Sequence, residues 1–158
     1  MVLVSSVAQG KKTELRSSPL EADQCNCFTV RKAARQISRF YDAHLHPTGL
    51  RITQFLILTA LNEIGCAGMI ELAERLDVEQ TAMGKMVATL QRDRLVAVRR
   101  SPADGRSRIV ELTAEGSSLL NKAIPLWREA QRQFNELNGS KTVGALRSGF
   151  KFPTRVQG

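Results

Sequence analysis

A chain of 158 residues is long enough to bury one core of ordinary size and too short for two independent catalytic domains. Its 23 Lys and Arg outnumber 15 Asp and Glu, and the formal charge of +8 favours a polyanionic partner, either nucleic acid or an anionic membrane surface. No apolar run approaches the roughly 18 residues of a membrane span, and 3 cysteines are too few for a disulfide framework, so we expect a cytoplasmic protein outside the membrane.

The N-terminal region divides into an arm and a helix. Residues 1–22 mix Ser, Gly and Lys without apolar periodicity and are predicted to form a mobile basic arm. Residues 23–50 are predicted to contain a long amphipathic helix, which ends where Pro47 and Gly49 introduce a turn. The apolar positions that recur at helical spacing are Phe28, Ala34, Ile37, Tyr41 and Leu45.

Residues 51–113 are predicted to form a lobe that contains a helix-turn-helix. A first helix covers about 51–62. Its predicted buried positions are Phe55, Leu56 and Leu58. In the string MIELAERLDVEQTAMGKMVATLQRDRLV, two short helices flank a tight turn around Asp77 and Val78, which is the pattern of a helix-turn-helix.

The second helix of this pair has two distinct faces. Met83, Val87 and Leu90 lie at i, i+4 and i+7 and form the inward face. The opposite face is made of Gln80, Thr81, Gly84, Lys85 and Ala88. These groups are small or polar around one cation, as a helix in a major groove about 12 Å wide requires. We therefore expect Gln80, Thr81 and Lys85 to reach base edges or phosphates.

Two runs that alternate apolar and polar residues, 95–100 and 108–113, predict a β-hairpin. The turn residues between them are Pro102, Asp104 and Gly105. Four arginines lie at or near the tip: Arg99, Arg100, Arg106 and Arg108. Arg106 suits a narrow and strongly negative minor groove, whereas the other three are expected to neutralise phosphates without reading sequence.

A further helix is predicted over 114–138, with Thr113 as its cap. Its apolar stripe consists of Leu120, Ile124, Trp127, Ala130, Phe134 and Leu137. The stripe is longer than one small domain needs to cover, which implies a partner helix. Pro125 should kink this helix. After Gly139 the periodicity decays, so residues 139–158 are a basic tail without a definite predicted structure.

This order of elements resembles the MarR family of bacterial regulators. The strings that carry the resemblance are DGRSRIVELTAEG (104–116), LAERLDV (72–78) and GLRITQF (49–55). The resemblance implies a mainly α fold with a small β-hairpin wing, a winged helix-turn-helix flanked by long N- and C-terminal dimerisation helices. It also implies that Asp104 braces the wing and that Arg106 enters the minor groove.

The function that follows is sequence-specific binding of double-stranded DNA by a transcriptional regulator and not an enzyme. The resemblance implies a homodimer on an inverted repeat, acting as a repressor that a small molecule or an oxidant releases. Two alternatives use the same fold: nonspecific DNA binding, and an interaction scaffold for a protein or an anionic membrane. The concentration of cations on a hairpin tip favours DNA over a scaffold.

Cys25 and Cys27 suggest a redox site. Cys27, followed by Phe28, resembles the peroxidatic cysteine of the organic-hydroperoxide regulators of the family. A thiol near a helix N-terminus, with Arg31 and Lys32 one turn further, could react as a thiolate. The alternative is a packed and unreactive thiol.

Phe40, Tyr41 and Phe55 are candidates for lining an effector cleft, since members of the family bind small aromatic effectors between the dimer helices and the DNA-binding lobe. The sequence contains no Gly-rich phosphate loop, Ser nucleophile elbow or paired carboxylates in an apolar setting, so no enzyme activity and no cofactor is expected. No metal site is expected either, because Cys27 and His44 lie about 25 Å apart on one helix.

Overall fold

The computed structural model describes residues 24–102, 105 and 107–151. It is mainly helical with one small antiparallel sheet, as the sequence predicts. The elements are α1 (Asn26–Leu45), α2 (Ile52–Ile64), β1 (Cys66–Gly68), α3 (Met69–Arg75), α4 (Gln80–Arg92), β2 (Val96–Arg100), β3 (Arg108–Leu112) and α5 (Ala114–Ser148). One compact unit of the chain ends at Gln36, and the other begins at Ile37.

Several predictions fall outside the described residues. They concern the N-terminal arm over 1–22, the wing residues Asp104 and Arg106, and the end of the basic tail over 152–158. The remaining predicted site residues are all described.

The core of the second unit forms around α2, which contacts α3, α5, β1 and β3. Ile57, Leu58 and Leu61 of this helix are fully buried. Burying each such side chain contributes about 1.5–3 kcal/mol relative to leaving it in water. At the start of α2, the Asp42 carboxylate accepts a hydrogen bond from the backbone N–H of Ile52 at 2.7 Å, which satisfies one of the free donors of the helix terminus.

The prediction that Leu56 is buried was wrong, since its side chain is 42% exposed. Leu56 lies seven residues before Glu63, so the two residues share one face of α2, and Glu63 is also exposed. Nearly every residue from 55 to 61 is apolar, so periodicity alone does not show which of them faces outward.

The predicted hairpin is present as β2 and β3, and β1 adds a third strand in the order β1-β3-β2. Val98 lies opposite Val110 across β2 and β3, and Ala67 of β1 lies opposite Val110 on the other side. Ala67 and Val110 are buried, so these residues attach the sheet to the core. The sequence did not predict β1, because 3 residues are too short for a periodic signal.

α5 is longer than predicted and continues over the first part of the expected tail, to Ser148. The Thr113 hydroxyl accepts the N–H of Gly116 at 3.0 Å, so its predicted role as the cap is confirmed. The backbone leaves the helical region at Gly139, where φ is 73° and ψ is 158°, whereas Pro125 lies inside the helix. A positive φ is accessible to glycine at little cost, so Gly139 interrupts the helix where the apolar stripe ends.

Gly116 allows the first turn of α5 to approach the chain just before β2. A Cβ at this position would collide with the carbonyl oxygen of Leu95 and would lie 3.0 Å from its carbonyl carbon. Both atoms belong to the backbone, so they cannot move aside in the way that the end of a side chain can.

We predict that Gly116→Ala lowers the free energy of unfolding by about 1–3 kcal/mol. Gly84→Ala is the matched control, because a Cβ at Gly84 would meet nothing within 4 Å. Replacing this helical glycine should raise the free energy of unfolding by about 0.5–1 kcal/mol. Urea unfolding of the two variants at equal protein concentration measures the difference. Equal effects of the two substitutions would contradict the close approach at Gly116.

Candidate nucleic-acid interface

The turn between α3 and α4 has the predicted position. Asp77 has a φ of 49°, and its N–H donates to the carbonyl of Glu74 at 3.2 Å. The next N–H, of Val78, donates to the carbonyl of Ala73 at 2.9 Å. Asp is among the few residues besides glycine that adopt the left-handed conformation as single residues. The local sequence therefore closes the helix-turn-helix at this point.

α4 has the two faces that its sequence predicts. Met83, Val87 and Leu90 are buried in the core. On the outer face, the side chains of Gln80, Thr81 and Lys85 are exposed. The empty space next to Gly84 means that a flat or convex partner could come close to the α4 backbone there.

Glu79 caps the N-terminus of α4, a role that was not predicted from the sequence. One oxygen of its exposed carboxylate, Oε2, accepts the backbone N–H of Ala82 at 3.2 Å. The other, Oε1, accepts the hydroxyl of Thr81 at 2.9 Å. The only signal in the sequence was its position directly before the helix, since Glu is not among the preferred capping residues.

At the far end of the hairpin, two arginines face each other. Arg100 lies directly opposite Arg108 across the β2–β3 ladder, and both are exposed. Neither forms an ion pair with an acidic side chain in the part of the chain that is described. Like charges directly opposite each other destabilise a strand pair, so this arrangement is suited to a counter-charge from a polyanion.

Arg99 occupies the other face of the hairpin, since side chains alternate along a strand. Its guanidinium donates to Oε2 of Glu111 at 2.6 Å. Glu111 thus neutralises part of the positive charge that was expected to bind phosphates. The structure brings Arg99, Arg100 and Arg108 to one hairpin, but only two of them lack an acidic neighbour among the described residues.

The candidates for the effector cleft separate into two aromatic groups. Phe40 and Tyr41 of α1 contact Phe134 of α5, with ring centroids 6.2 Å from it in each case. Phe55 instead stacks on Trp127, with ring centroids 5.8 Å apart, and is buried. Burial raises the pKa of Tyr41. The Tyr41 hydroxyl donates a hydrogen bond to the side chain of Gln131.

The cysteines are free thiols. Cys25, Cys27 and Cys66 are all exposed. Over residues 24–102, 105 and 107–151, no three His, Cys, Asp or Glu side chains are grouped so that they could hold a metal ion. Within the same described ranges, no helix has the length and hydrophobicity to cross a membrane.

Comparison with known proteins decides the family. Residues 50–107 match the model of the MarR family. The transcriptional repressor NicR of Pseudomonas putida KT2440 is 31% identical over 142 residues, which are 86% of this chain and 90% of NicR. The chain belongs to the MarR family.

Solved structures of MarR regulators agree with this assignment. The M. tuberculosis regulator MosR, in complex with DNA, is 42% identical and has a TM-score of 0.66, over 71% of this chain and 81% of MosR. A mutant of MarR from E. coli, complexed with operator DNA, has a TM-score of 0.74 at 20% identity over 83% of this chain and 95% of that one, which shows the shared fold. The present member of the MarR family is therefore a transcriptional regulator that binds DNA. The proteins of this family are regulators and not enzymes.

We predict that removing either hairpin arginine reduces the salt dependence of DNA binding. Arg108→Ala or Arg100→Ala should make the slope of log affinity against log salt concentration less negative by about one. Folding stability should stay the same or rise slightly, because the substitution also removes the repulsion between the two cations. Arg99→Ala should change the slope less, since Glu111 already compensates its charge.

Titrations of labelled duplex DNA at several salt concentrations measure these slopes. Arg128→Ala is the matched control, because it removes an equal charge from an exposed position on α5. A slope that changes as much in Arg128→Ala as in Arg108→Ala would mean that net charge, and not the hairpin end, governs binding.

Proposed function

We propose that this MarR protein is a sequence-specific repressor that binds an inverted repeat as a homodimer and is released by a small molecule or an oxidant. One arrangement carries the proposal: α4 offers an uncrowded polar face, and the hairpin that follows ends in a pair of opposed arginines. A helix of this kind fits the major groove of duplex DNA, and a cationic hairpin beside it fits the adjacent phosphate backbone. NicR is a transcriptional repressor, which supports this direction of regulation.

In this proposal, residues of α4 contact the major groove, and residues of the hairpin contact the DNA backbone and the minor groove. Gln80, Thr81 and Lys85 contact base edges or phosphates in the major groove, and Gly84 lets the α4 backbone come close to the groove. Arg100 and Arg108 neutralise phosphates, and Arg99 contributes less to this, because Glu111 already compensates part of its charge. The remaining wing residues keep the roles that the family resemblance implies: Asp104 as the brace of the wing and Arg106 in the minor groove.

Exposed apolar side chains support the homodimer. Leu137 of α5 is 77% exposed, and Leu146 and Phe150 near its end are exposed as well. In the first unit, Phe28 and Val30 of α1 are also exposed. Large apolar side chains on helices that the family uses for dimerisation are best covered by a second copy of the chain.

The first experiment separates specific regulation from nonspecific binding and from an interaction scaffold. The purified protein is titrated with duplex DNA from upstream of its own gene and with a scrambled duplex of equal length, across a range of salt. We expect a preference of at least about a thousandfold for the native duplex, with one dimer per site. Equal affinity with a steep salt slope would favour nonspecific binding, and no binding to either duplex would favour a scaffold.

We predict that Arg106→Ala weakens binding to the native duplex at least about tenfold, because it removes a cation from the minor groove. The substitution leaves the described core unchanged, so the thermal unfolding midpoint should stay within a few degrees of the wild-type value. Unchanged affinity would remove Arg106 from the mechanism.

The position of Cys27 supports the proposal that an oxidant releases the protein from DNA. Its thiol is exposed in the first turn of α1, where an oxidant can reach it. We predict that an organic hydroperoxide releases the wild-type protein from DNA and does not release Cys27→Ser. Cys66→Ser is the matched control, since this thiol is also exposed, and it should respond like the wild type. Release that persists in Cys27→Ser would exclude Cys27 as the sensor.

A further inference from the structure

We propose that Glu79 reads base sequence and selects cytosine at one position in each half of the DNA site. The inference rests on the proposed function, in which the N-terminal end of α4 enters the major groove. Neither the fold nor the family comparison assigns a role to this carboxylate.

Two hydrogen bonds position the Glu79 side chain. Its two oxygens accept the N–H of Ala82 at 3.2 Å and the hydroxyl of Thr81 at 2.9 Å, so the carboxylate lies over the first turn of α4. A carboxylate has about four acceptor positions, and these two bonds use one on each oxygen. Because the group is exposed, the remaining positions are open to a partner outside the protein.

The chemistry of a carboxylate restricts that partner to a base with an amino group. In the major groove, cytosine offers N4–H₂ and adenine offers N6–H₂, whereas guanine and thymine offer acceptors that would repel the charge. Adenine also presents the acceptor N7 beside its amine, so a carboxylate that bonds to N6 has an oxygen facing a like partial charge. Cytosine presents no acceptor beside N4, and it is therefore the base that fits best.

The bond to Glu79 also determines what Thr81 can read. The hydroxyl hydrogen of Thr81 is donated to Glu79, so its oxygen can only accept from DNA. Both groups at the start of α4 are then acceptors. Lys85, one turn after Thr81 on the same face, is a donor and suits guanine or a phosphate.

Helix capping alone does not account for a glutamate at this position. Ser, Thr, Asp and Asn are the preferred capping residues, and any of them would satisfy the Ala82 N–H with a shorter side chain. A negative charge at the end of a helix that approaches phosphates opposes nonspecific binding. The longer acidic side chain is explained if its charge is used on a base amine.

The experiment compares the wild type with Glu79→Gln and Glu79→Asp. Each full-length protein selects duplexes from a library with randomised sequence, and the affinities of the enriched sites are then measured with single base pairs replaced. The wild type should prefer cytosine at one symmetric pair of positions by about tenfold over thymine. Glu79→Gln should shift the preference at that pair to adenine, because an amide bonds to both N6 and N7.

Glu79→Asp keeps the charge and caps a helix well, but its side chain is shorter by one methylene group. It should fold like the wild type and lose the cytosine preference. Glu79→Gln should in addition bind a scrambled duplex more tightly than the wild type, since a phosphate repulsion is removed. Thermal unfolding followed by circular dichroism verifies that both variants keep their fold.

The outcomes separate this inference from the proposed function. Suppose that the wild type selects a definite site and that Glu79→Gln selects an identical site. This result overturns the role of Glu79 and leaves the proposed regulator intact. A wild-type protein that enriches no sequence at all overturns the proposed function, and the role of Glu79 falls with it.

Discussion

The burial of one face of α4 is the constraint on which the interface depends. Met83, Val87 and Leu90 lie in the core, and each fully buried side chain of this size contributes about 1.5–3 kcal/mol. Rotating the helix by a quarter turn would bring these groups into water, so the outer face cannot change. Gln80 and Lys85 are therefore presented in a fixed orientation before any partner binds. A helix held in this way loses little conformational entropy on binding, which favours affinity and selectivity together.

The same core connects α4 to the hairpin and to α5 through Leu95. The N–H of Leu95 donates to the carbonyl of Leu90 at the end of α4. Its carbonyl accepts the N–H of Thr113 at the end of β3, at 3.2 Å, and lies against Gly116 of α5. The Thr113 hydroxyl also donates to the carbonyl of Arg94 at 2.7 Å. Helix α4, the hairpin and α5 thus meet at one short backbone segment, residues 94–95.

The elements that could be predicted from the sequence are those with a repeated signal. α4 and the hairpin have clear periodicity and turn residues, and α5 has a long stripe, so their positions follow from side-chain pattern alone. Leu56 was placed wrongly because an almost wholly apolar helix has no pattern to define its faces. The helix beyond Gly139 was not predicted, since its few apolar residues give no periodic signal. Glu79 was missed because its role depends on two hydrogen bonds that composition does not indicate.

At the end of the hairpin where Arg100 lies opposite Arg108, the stability of the strand pair depends on whether DNA is bound. Arg100 and Arg108 repel each other across the ladder, while Arg99 on the opposite face is held by Glu111. A phosphate placed between the two opposed cations would turn that repulsion into two favourable charge-assisted contacts. A ligand that binds only the folded hairpin stabilises it by mass action, so DNA should stabilise the pairing of Arg100 with Arg108 more than it stabilises the core. Under the proposed function, affinity would come from cations that are unfavourable without DNA, and the polar face of α4 would supply the sequence preference.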